Sequence, residues 1–217
     1  MSTTTGKGSR GDETDVARRR KAQILDAAAE CFRQKGFHRS SLAQIAATAG
    51  MSVGHIYHYF KSKEDIVAAI VESEQGEARP LIEAARAAED VPDVINVFID
   101  QLAQAVAHHQ DTSRASLKME ILAEASRNPE IGRIVQQKHD EFRQVLVALF
   151  KDAPSGLQSR LEIIGALLQG LSMRSLSNSK ADNSLDFDML RNVVRYVLTS
   201  QDGFHPTKPI EEECKGK

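Results

Sequence analysis

The segment from Ser41 to Phe60 restricts the possible folds more than any other part of the chain, because residues that start and stop helices recur in it at short spacing. Ser41 is followed three residues later by Gln44, the pattern of a capping box at a helix start. Gly50 stands where that helix must end, since glycine readily adopts a positive φ. Ser52 then caps a second helix. A pair of helices, at residues 42–49 and 53–60, joined by a glycine turn is therefore predicted.

The rest of the chain is helical in its pattern as well. Ser62, with Asp65 three residues after it, predicts another capping box and a helix that starts at Lys63. Strand-like alternation is absent, so the predicted fold class is all-α. The predicted helices cover residues 14–35, 42–49, 53–60, 63 to about 76, 80–88, 92–109, 113–127, 129–151, 156–178 and 186–201.

These helices predict two domains and two tails. A three-helix head with the helix-turn-helix covers residues 14–65, and a larger helical domain covers residues 66–201. Residues 1–13 are polar and glycine-rich, which predicts a disordered tail. Residues 177–184 form a polar loop, and residues 202–217 form a loose tail.

The charge of the chain is unevenly distributed. Residues 1–65 carry 11 lysines and arginines against 7 acidic residues, a balance of +4, whereas the remainder has a balance of −6. A basic head on an acidic body suits nucleic-acid binding, although random drift of surface charge is an open alternative. The basic run from Arg18 to Lys21 crowds the start of the first helix, where cations oppose the helix dipole. A nearby phosphate backbone explains this run, and a solvated tail is the alternative.

Bulk features exclude several classes of protein. No stretch approaches the roughly 18 apolar residues of a membrane span, and the polar start MSTTTGKGSR is not a signal peptide. Cys31 and Cys214 predict neither a disulfide framework nor a metal site. No paired carboxylates, nucleophile motif, phosphate loop or metal spacing can be assembled. We therefore expect a cytoplasmic protein that makes no membrane contact, is not an enzyme, and has no metal or cofactor.

The second helix of the pair carries the candidate binding residues, Val53, Gly54, His55, Tyr57 and His58. Imidazoles, hydroxyls and backbone amides donate hydrogen bonds to phosphate oxygens and base edges. Glycine near a helix start costs about 1 kcal/mol relative to alanine, which close approach to a groove wall would explain. Two other interpretations stay open. One is a metal site at the histidines, for which no cysteine or acid completes the ligand set; the other is an ordinary amphipathic hairpin.

A collinear set of residues extends this motif in both directions. The set consists of Gly36-Phe37, Ile45-Ala46, Ala49-Gly50-Met51-Ser52, Ile56-Tyr57-His58-Tyr59-Phe60 and Lys61-Ser62-Lys63-Glu64. Over roughly residues 18–66 it resembles, without gaps, the DNA-binding domain of TetR-family transcriptional regulators. The resemblance implies a helical homodimer on a palindromic double-stranded operator, with recognition helices in major grooves about 34–36 Å apart.

The resemblance also implies a role for each matching residue. Carried over by position, the roles are phosphate binding for Ser41, Ser52, Tyr57 and His58, base contact for Val53, Gly54 and His55, and anchoring of the far strand for Lys63. Many family members have threonine at the positions of Ser41 and His55. His55 is therefore expected to contact either a base or a phosphate, and the operator sequence is not predicted.

Two helices near the C-terminus carry apolar stripes. Leu157, Leu161, Ile164, Leu168 and Leu171 follow the 4-3 spacing of a helix-helix seam. A simple intrachain core is one interpretation, and the resemblance favours a four-helix dimer interface built from both subunits. The predicted interface residues are Leu161, Ile164, Leu168, Leu171, Leu190, Val194 and Val197.

The resemblance further implies a small-molecule effector site among the middle helices. The candidate lining residues are Phe98, Leu102, Met119, Glu120, Leu122, Phe142 and Met173, although apolar residues at helical spacing are also typical of plain core. Glu120 and Glu124 are like charges four residues apart. If one faced a pocket, the ligand would be cationic; the alternative is a solvated face shared with Lys118 and Arg127. The expected function is a ligand-released repressor, and the alternative is an activator or a ligand-independent regulator.

Overall fold

The computed structural model describes residues 9–150, 156–177 and 185–200, with side chains from residue 15 onward. Within these ranges every regular element is an α-helix, and no strand occurs, which confirms the predicted all-α class. The helices are α1 (Ser9–Lys35), α2 (Leu42–Thr48), α3 (Val53–Tyr59), α4 (Lys63–Gly76), α5 (Arg79–Ala87), α6 (Val91–Asp100), α7 (Leu102–Gln110), α8 (Thr112–Ala125), α9 (Pro129–Val147), α10 (Leu157–Ser177) and α11 (Phe187–Thr199).

The structure differs most from the predicted helices at two places. The predicted helix at 92–109 is two helices, α6 and α7, which meet at Gln101. Each has its own buried stripe, with Val94 and Ile99 on α6 and Leu102 and Val106 on α7. The helix α1 begins at Ser9, so residues 9–13 of the predicted disordered tail are helical. The predicted tail segments 1–8 and 202–217, and most of the predicted loop 177–184, lie outside the described residues.

The early start of α1 changes the interpretation of the basic run. Arg18 lies nine residues after Ser9, so the cations occupy the middle of the helix and not its first turn. The helix dipole acts mainly within the first and last turns. The expected conflict between these charges and the dipole is therefore absent.

The chain divides into two compact units, of which the first contains residues 1–79 and 112–142. In this unit α1 packs against α2, α4 and α8, and α2 packs against α3. The core is built by Ile24 and Phe32 of α1, Ile45 of α2, Ile56 of α3 and Ile66 of α4, all at most 1% exposed. Contacts thus group α8 and most of α9 with the head, whereas the predicted domain boundary at residue 65 divides the chain by sequence and stays a prediction.

The second unit contains residues 80–111 and 143–217. In it α10 packs against α7 and α11, and α6 packs against α7 and α11. The buried side chains come from every one of these helices. They are Val94, Ile95, Ile99, Leu102, Val106, Leu157, Leu161, Ile164, Val194 and Leu198.

The predicted dimer-interface residues lie in or against the core of the second unit. Leu161, Ile164 and Val194 are 8%, 7% and 2% exposed and belong to the core of the second unit itself. Leu168, Leu171, Leu190 and Val197 are partly buried against the same core. The most regular apolar stripe of α10 is therefore used to pack α7 and α11, and a role of these seven residues in a dimer interface stays a prediction. Apolar side chains beside the stripe remain exposed instead, namely Ile163, Leu167, Met173, Leu176, Met189, Val193 and Tyr196.

Candidate nucleic-acid interface

The start of α2 has the predicted capping box. The Ser41 hydroxyl accepts a hydrogen bond from the backbone N–H of Gln44 at 3.2 Å, and the backbone N–H of Ser41 donates to Gln44 Oε1 at 2.9 Å. The helix ends at Thr48 with Ala49 as its C-cap, and Gly50 follows with φ +63°. An added Cβ on Gly50 would meet no atom within 4 Å, so backbone conformation alone requires glycine here.

The starts of α3 and α4 are capped by serines as predicted. Ser52 Oγ accepts from the backbone N–H of His55 at 3.2 Å, and Ser62 Oγ accepts from the backbone N–H of Asp65 at 3.1 Å. One detail differs, because Asp65 Oδ2 accepts from the N–H of Lys61 at 2.9 Å and not from that of Ser62. The carboxylate therefore ties α4 to the residue that follows the last turn of α3.

The outer face of α3 exposes the predicted contact residues together. Val53 and Tyr57 are 37% and 55% exposed, and Gly54, His55 and His58 are exposed as well. The rings of His55 and His58 both stand edge-on to Tyr59, at centroid distances of 5.4 and 5.0 Å. Ser41 and Ser52 are also exposed. The contacts of both imidazoles with the Tyr59 ring hold His55 and His58 on one side of α3.

Neither helix of the pair carries an acidic residue, in contrast to the acidic body of the chain. The sequences are LAQIAAT for α2 and VGHIYHY for α3. A Cβ on Gly54 would meet no atom within 4 Å, so internal packing does not require glycine there. The face therefore offers imidazole and hydroxyl groups with no acidic side chain on either helix, and a position at Gly54 that another molecule could approach closely.

Lys63 is engaged inside the protein. Its Nζ donates to the backbone carbonyl of Phe37 at 2.8 Å and lies 4.0 Å from the centroid of the Phe37 ring. An ammonium group has three donors, so this bond leaves two of them for a phosphate. The predicted DNA contact of Lys63 stays a prediction, and the anchoring of the loop at Phe37 is an additional role that sequence reasoning missed.

Two carboxylates of α8 also reach the loop between α1 and α2. Glu120 Oε1 accepts from the backbone N–H of Phe37 at 2.9 Å. Glu124 is 1% exposed, with His38 Nε2 at 3.1 Å and Arg127 at 3.5 Å from its Oε2. The solvated face that the sequence suggested for Glu124 is therefore wrong, because the two glutamates lie one helical turn apart on the side of α8 that meets this loop.

Among the described residues, no group of three or more His, Cys, Asp or Glu could hold a metal ion.

The residues predicted to line an effector site are divided between the two units. Of the predicted effector-lining residues, Met119, Glu120, Leu122 and Phe142 belong to the first unit, and Phe98, Leu102 and Met173 belong to the second. The Phe98 ring packs on Phe150 at 5.7 Å, Leu102 is buried core, and Met173 is 56% exposed. Their role as an effector site stays a prediction.

Two protein-family models match the chain. The model described as "Bacterial regulatory proteins, tetR family" matches residues 24–70, and the model described as "Tetracyclin repressor-like, C-terminal domain" matches residues 95–200. In the part of the chain that the structure describes, no helix is both long and apolar enough to cross a membrane.

Individual relatives agree with these models. The HTH-type transcriptional regulator UidR of Escherichia coli K12 is 30% identical over 135 residues, which span 61% of this chain and 65% of UidR, slightly less than two thirds of that protein. The fatty acid metabolism regulator protein of Bacillus subtilis is 28% identical over 152 residues, or 70% of this chain and 73% of that protein.

Solved structures show the same fold. GusR of Salmonella enterica superposes with a TM-score of 0.65 at 26% identity, covering 83% of this chain and 95% of GusR. FadR of Bacillus subtilis, solved in complex with stearoyl-CoA, superposes with a TM-score of 0.58 at 22% identity, covering 83% of this chain and 98% of FadR. At the latter identity the likeness concerns the fold alone.

Proposed function

The chain belongs to the TetR family of bacterial regulatory proteins, and on that premise we propose that it is a transcriptional repressor that a small-molecule effector releases from a palindromic operator. The observation that carries the proposal is the exposed, acid-free face of α3, which presents Val53, Gly54, His55, Tyr57 and His58 together. A repressor of this kind works in the cytoplasm, where the chromosome lies.

Each recognition helix lies in a major groove in this proposal. Val53 and Gly54 contact base edges or a thymine methyl, and His55 donates to a base acceptor or a phosphate. Ser41, Ser52, Tyr57, His58 and Lys63 hold the backbone on either side, which fixes the register without reading sequence. The buried side chains Ile45 and Ile56 keep α2 and α3 at a fixed angle, so the contact residues move as one body.

Two copies of the chain form the DNA-binding unit. A homodimer places two α3 helices in successive major grooves and matches a palindromic operator. The exposed apolar face of α10 and α11 supports this pairing, because Ile163, Leu167, Met189, Val193 and Tyr196 would otherwise leave a large apolar surface in water.

The effector acts by favouring a conformation that binds DNA less well. Its effect on operator affinity equals the ratio of its affinities for the two conformations. The helix α4 begins at the recognition pair and continues for 14 residues, which makes it the element best suited to transmit the change. The chemical class of the effector is left open, and an activator or a ligand-independent regulator is the alternative.

Selection of bound duplexes from a random DNA pool tests the proposal. We expect a palindromic consensus, an affinity that falls steeply with salt, and at least tenfold weaker binding by His55→Ala and Tyr57→Ala with unchanged melting temperatures. His139→Ala on the exposed face of α9 is the matched control for the loss of an imidazole. Salt-insensitive binding, or binding that the α3 substitutions leave unchanged, would overturn the proposal.

A metabolite panel separates repression by effector release from the alternative. We expect at least one metabolite to raise the melting temperature and to weaken operator binding, since an effector that prefers the released conformation must do both. If no metabolite changes either quantity while operator binding persists, the ligand-independent alternative is favoured. Transcription from a promoter that carries the selected operator then distinguishes repression from activation.

A further inference from the structure

The basic run Arg18–Lys21 contributes no buried side chain to the core of the first unit. All four side chains are exposed, and they lie in the middle of α1, one to two turns before its first buried residue, Ile24. Arg18 pairs with Asp15 at 2.8 Å, an exposed pair of the kind that contributes little to stability. The run therefore needs another explanation.

A chain of two hydrogen bonds connects this run to the turn of the helix-turn-helix. The guanidinium of Arg20 donates from Nη1 to Gln23 Oε1 at 3.0 Å. Gln23 Nε2 in turn donates to the backbone carbonyl of Ala49 at 2.7 Å. Ala49 is the C-cap of α2, and Ser52, the N-cap of α3, follows three residues later. The amide of Gln23 thus holds the Arg20 guanidinium beside the turn that leads into the recognition helix.

The chemistry of Arg20 suits a phosphate. A guanidinium has five N–H donors in a planar fork that matches two phosphate oxygens, and the bond to Gln23 uses one of the five. A side chain that is already held loses less conformational freedom on binding. Arg19 lies four residues before Gln23, on the same face of α1, and is exposed as well.

We propose that Arg20, positioned by Gln23 and assisted by Arg19, is a phosphate-binding site on α1 for the DNA backbone beside the groove that α3 enters. Each protomer then binds DNA through α1 as well as through the helix-turn-helix. The inference rests on the proposed function, because it assigns a second contact surface to the same partner. The proposed contact of Arg20 must be independent of the DNA sequence, because phosphates are the same at every position.

The test measures the affinity of the full chain for a mixed-sequence duplex of about 30 base pairs at several KCl concentrations, by fluorescence anisotropy. One lost phosphate contact lowers the slope of log affinity against log salt by about 0.9. Arg20→Ala is expected to lower that slope by about 1.8 for a dimer and to weaken binding about tenfold at low salt. The same loss is expected on the selected operator.

Three variants separate a fixed contact from the general electrostatic field. Arg20→Lys keeps the charge but not the planar fork, and is expected to bind less tightly than the wild type with a nearly unchanged slope. Gln23→Ala keeps every charge and is expected to weaken binding, and to add little to Arg20→Ala in the double variant. Arg133→Ala removes an exposed arginine from α9 and is expected to keep the wild-type slope.

The outcomes distinguish this inference from the proposed function. If Arg20→Ala keeps the wild-type slope, or if Arg133→Ala lowers it equally, the α1 site is refuted while the repressor proposal stands. If Gln23→Ala weakens binding as much in the Arg20→Ala background as alone, the positioning role is refuted. If the wild-type chain binds no duplex in a salt-dependent manner, the proposed function fails first. Melting temperatures within about 2 °C of the wild type are required of every variant used.

Discussion

The carboxylate of Glu120 accepts a hydrogen bond from the backbone N–H of Phe37 at 2.9 Å, across 83 positions of the sequence. Phe37 lies in the loop between α1 and α2, and its carbonyl accepts from Lys63 at the start of α4. The loop is therefore held on one side by α4 and on the other by α8. Since α8 lies within the region matched by the C-terminal family model, a residue of that region stabilises the backbone of the DNA-binding head directly.

Removal of the Glu120 carboxylate should weaken the fold of the first unit. Phe37 is only 4% exposed, so its N–H would be left without its acceptor. We expect Glu120→Ala to lower the free energy of unfolding by about 1–3 kcal/mol. Glu120→Gln keeps a neutral acceptor and should cost less. Urea denaturation measures both, with Glu130→Ala on the exposed start of α9 as the control. An equal effect of Glu120→Ala and Glu130→Ala would contradict this prediction.

Alanine substitution should be more harmful at Gly36 than at Gly50. Both glycines have a positive φ, +78° and +63°, which costs a residue with a Cβ about 1–2 kcal/mol. Only at Gly36 does the added Cβ also approach another group, Glu120 Oε1 at 3.1 Å. We therefore expect Gly36→Ala to be the more destabilising change. The difference should shrink in a Glu120→Ala background, as a double-mutant cycle by denaturation would reveal; an unchanged difference would show that the carboxylate is not the cause.

The helix-turn-helix was predictable because the residues that start and end its two helices act on the nearby backbone. Ser41, Gly50 and Ser52 act on the backbone within three residues, so their caps follow from spacing alone. The partners of Phe37 were not predictable, because Glu120 is brought there by packing of α8 on α1, and glutamates four residues apart look the same on a solvated face. The division of the C-terminal apolar residues was not predictable for a related reason: Leu161 and Leu167 are both apolar, and only the tertiary structure shows that the first is core and the second is exposed.

Replacement of Glu124 by an apolar residue should not lower the free energy of unfolding, whereas loss of both of its basic neighbours, His38 and Arg127, should lower it. Its carboxylate oxygens are buried without hydrogen bonds, and the nearby basic side chains, those of His38 and Arg127, are 71% and 59% exposed. Glu124→Met removes a buried carboxylate and leaves two basic side chains that water can solvate. We expect the free energy of unfolding to stay equal or rise by about 1 kcal/mol. A loss of more than about 1 kcal/mol would contradict this expectation.

Removal of the two basic neighbours, with Glu124 kept, leaves a buried carboxylate without a basic side chain beside it. Arg127→Ala together with His38→Ala removes both nearby basic side chains, so the buried Glu124 carboxylate would lose its neighbours. We expect the double variant to be less stable than the wild type by about 1–3 kcal/mol. In a Glu124→Met background the same two substitutions should have almost no effect. Urea denaturation of the four variants measures this coupling, and additive effects would refute it.

Lys118 on α8 should make stability depend on alkaline pH. Burial lowers the pKa of Lys118 below its usual 10.5, and Glu74 opposes this effect more weakly. The folded state therefore releases the proton at a lower pH than the unfolded state, and stability rises as the pH approaches 10.5. Relative to wild type, Lys118→Met should be more stable near neutral pH, and the gap should close toward pH 10. The exposed Lys61→Met is the control, and a gap independent of pH would contradict the prediction.

The exposed apolar face of α10 and α11 should control the oligomeric state. Val193 is 41% exposed and lies beside Met189 and Tyr196, which are 64% and 66% exposed. Val193→Glu would place a carboxylate in the apolar interface of each protomer, where an unpaired charge is costly. We expect this variant to sediment as a monomer with unchanged helical circular dichroism, because the side chain is not part of the core.

Operator binding gives the same prediction a second measurement. A monomer presents only one recognition helix, so Val193→Glu should bind the palindromic operator at least about 100-fold more weakly than the wild type, while retaining weak binding to a half-site. Gln158→Glu adds the same charge to the exposed first turn of α10, and should remain dimeric. If Val193→Glu sediments as a dimer, the prediction that this face forms the interface is refuted, because an unpaired charge buried in an apolar interface is costly.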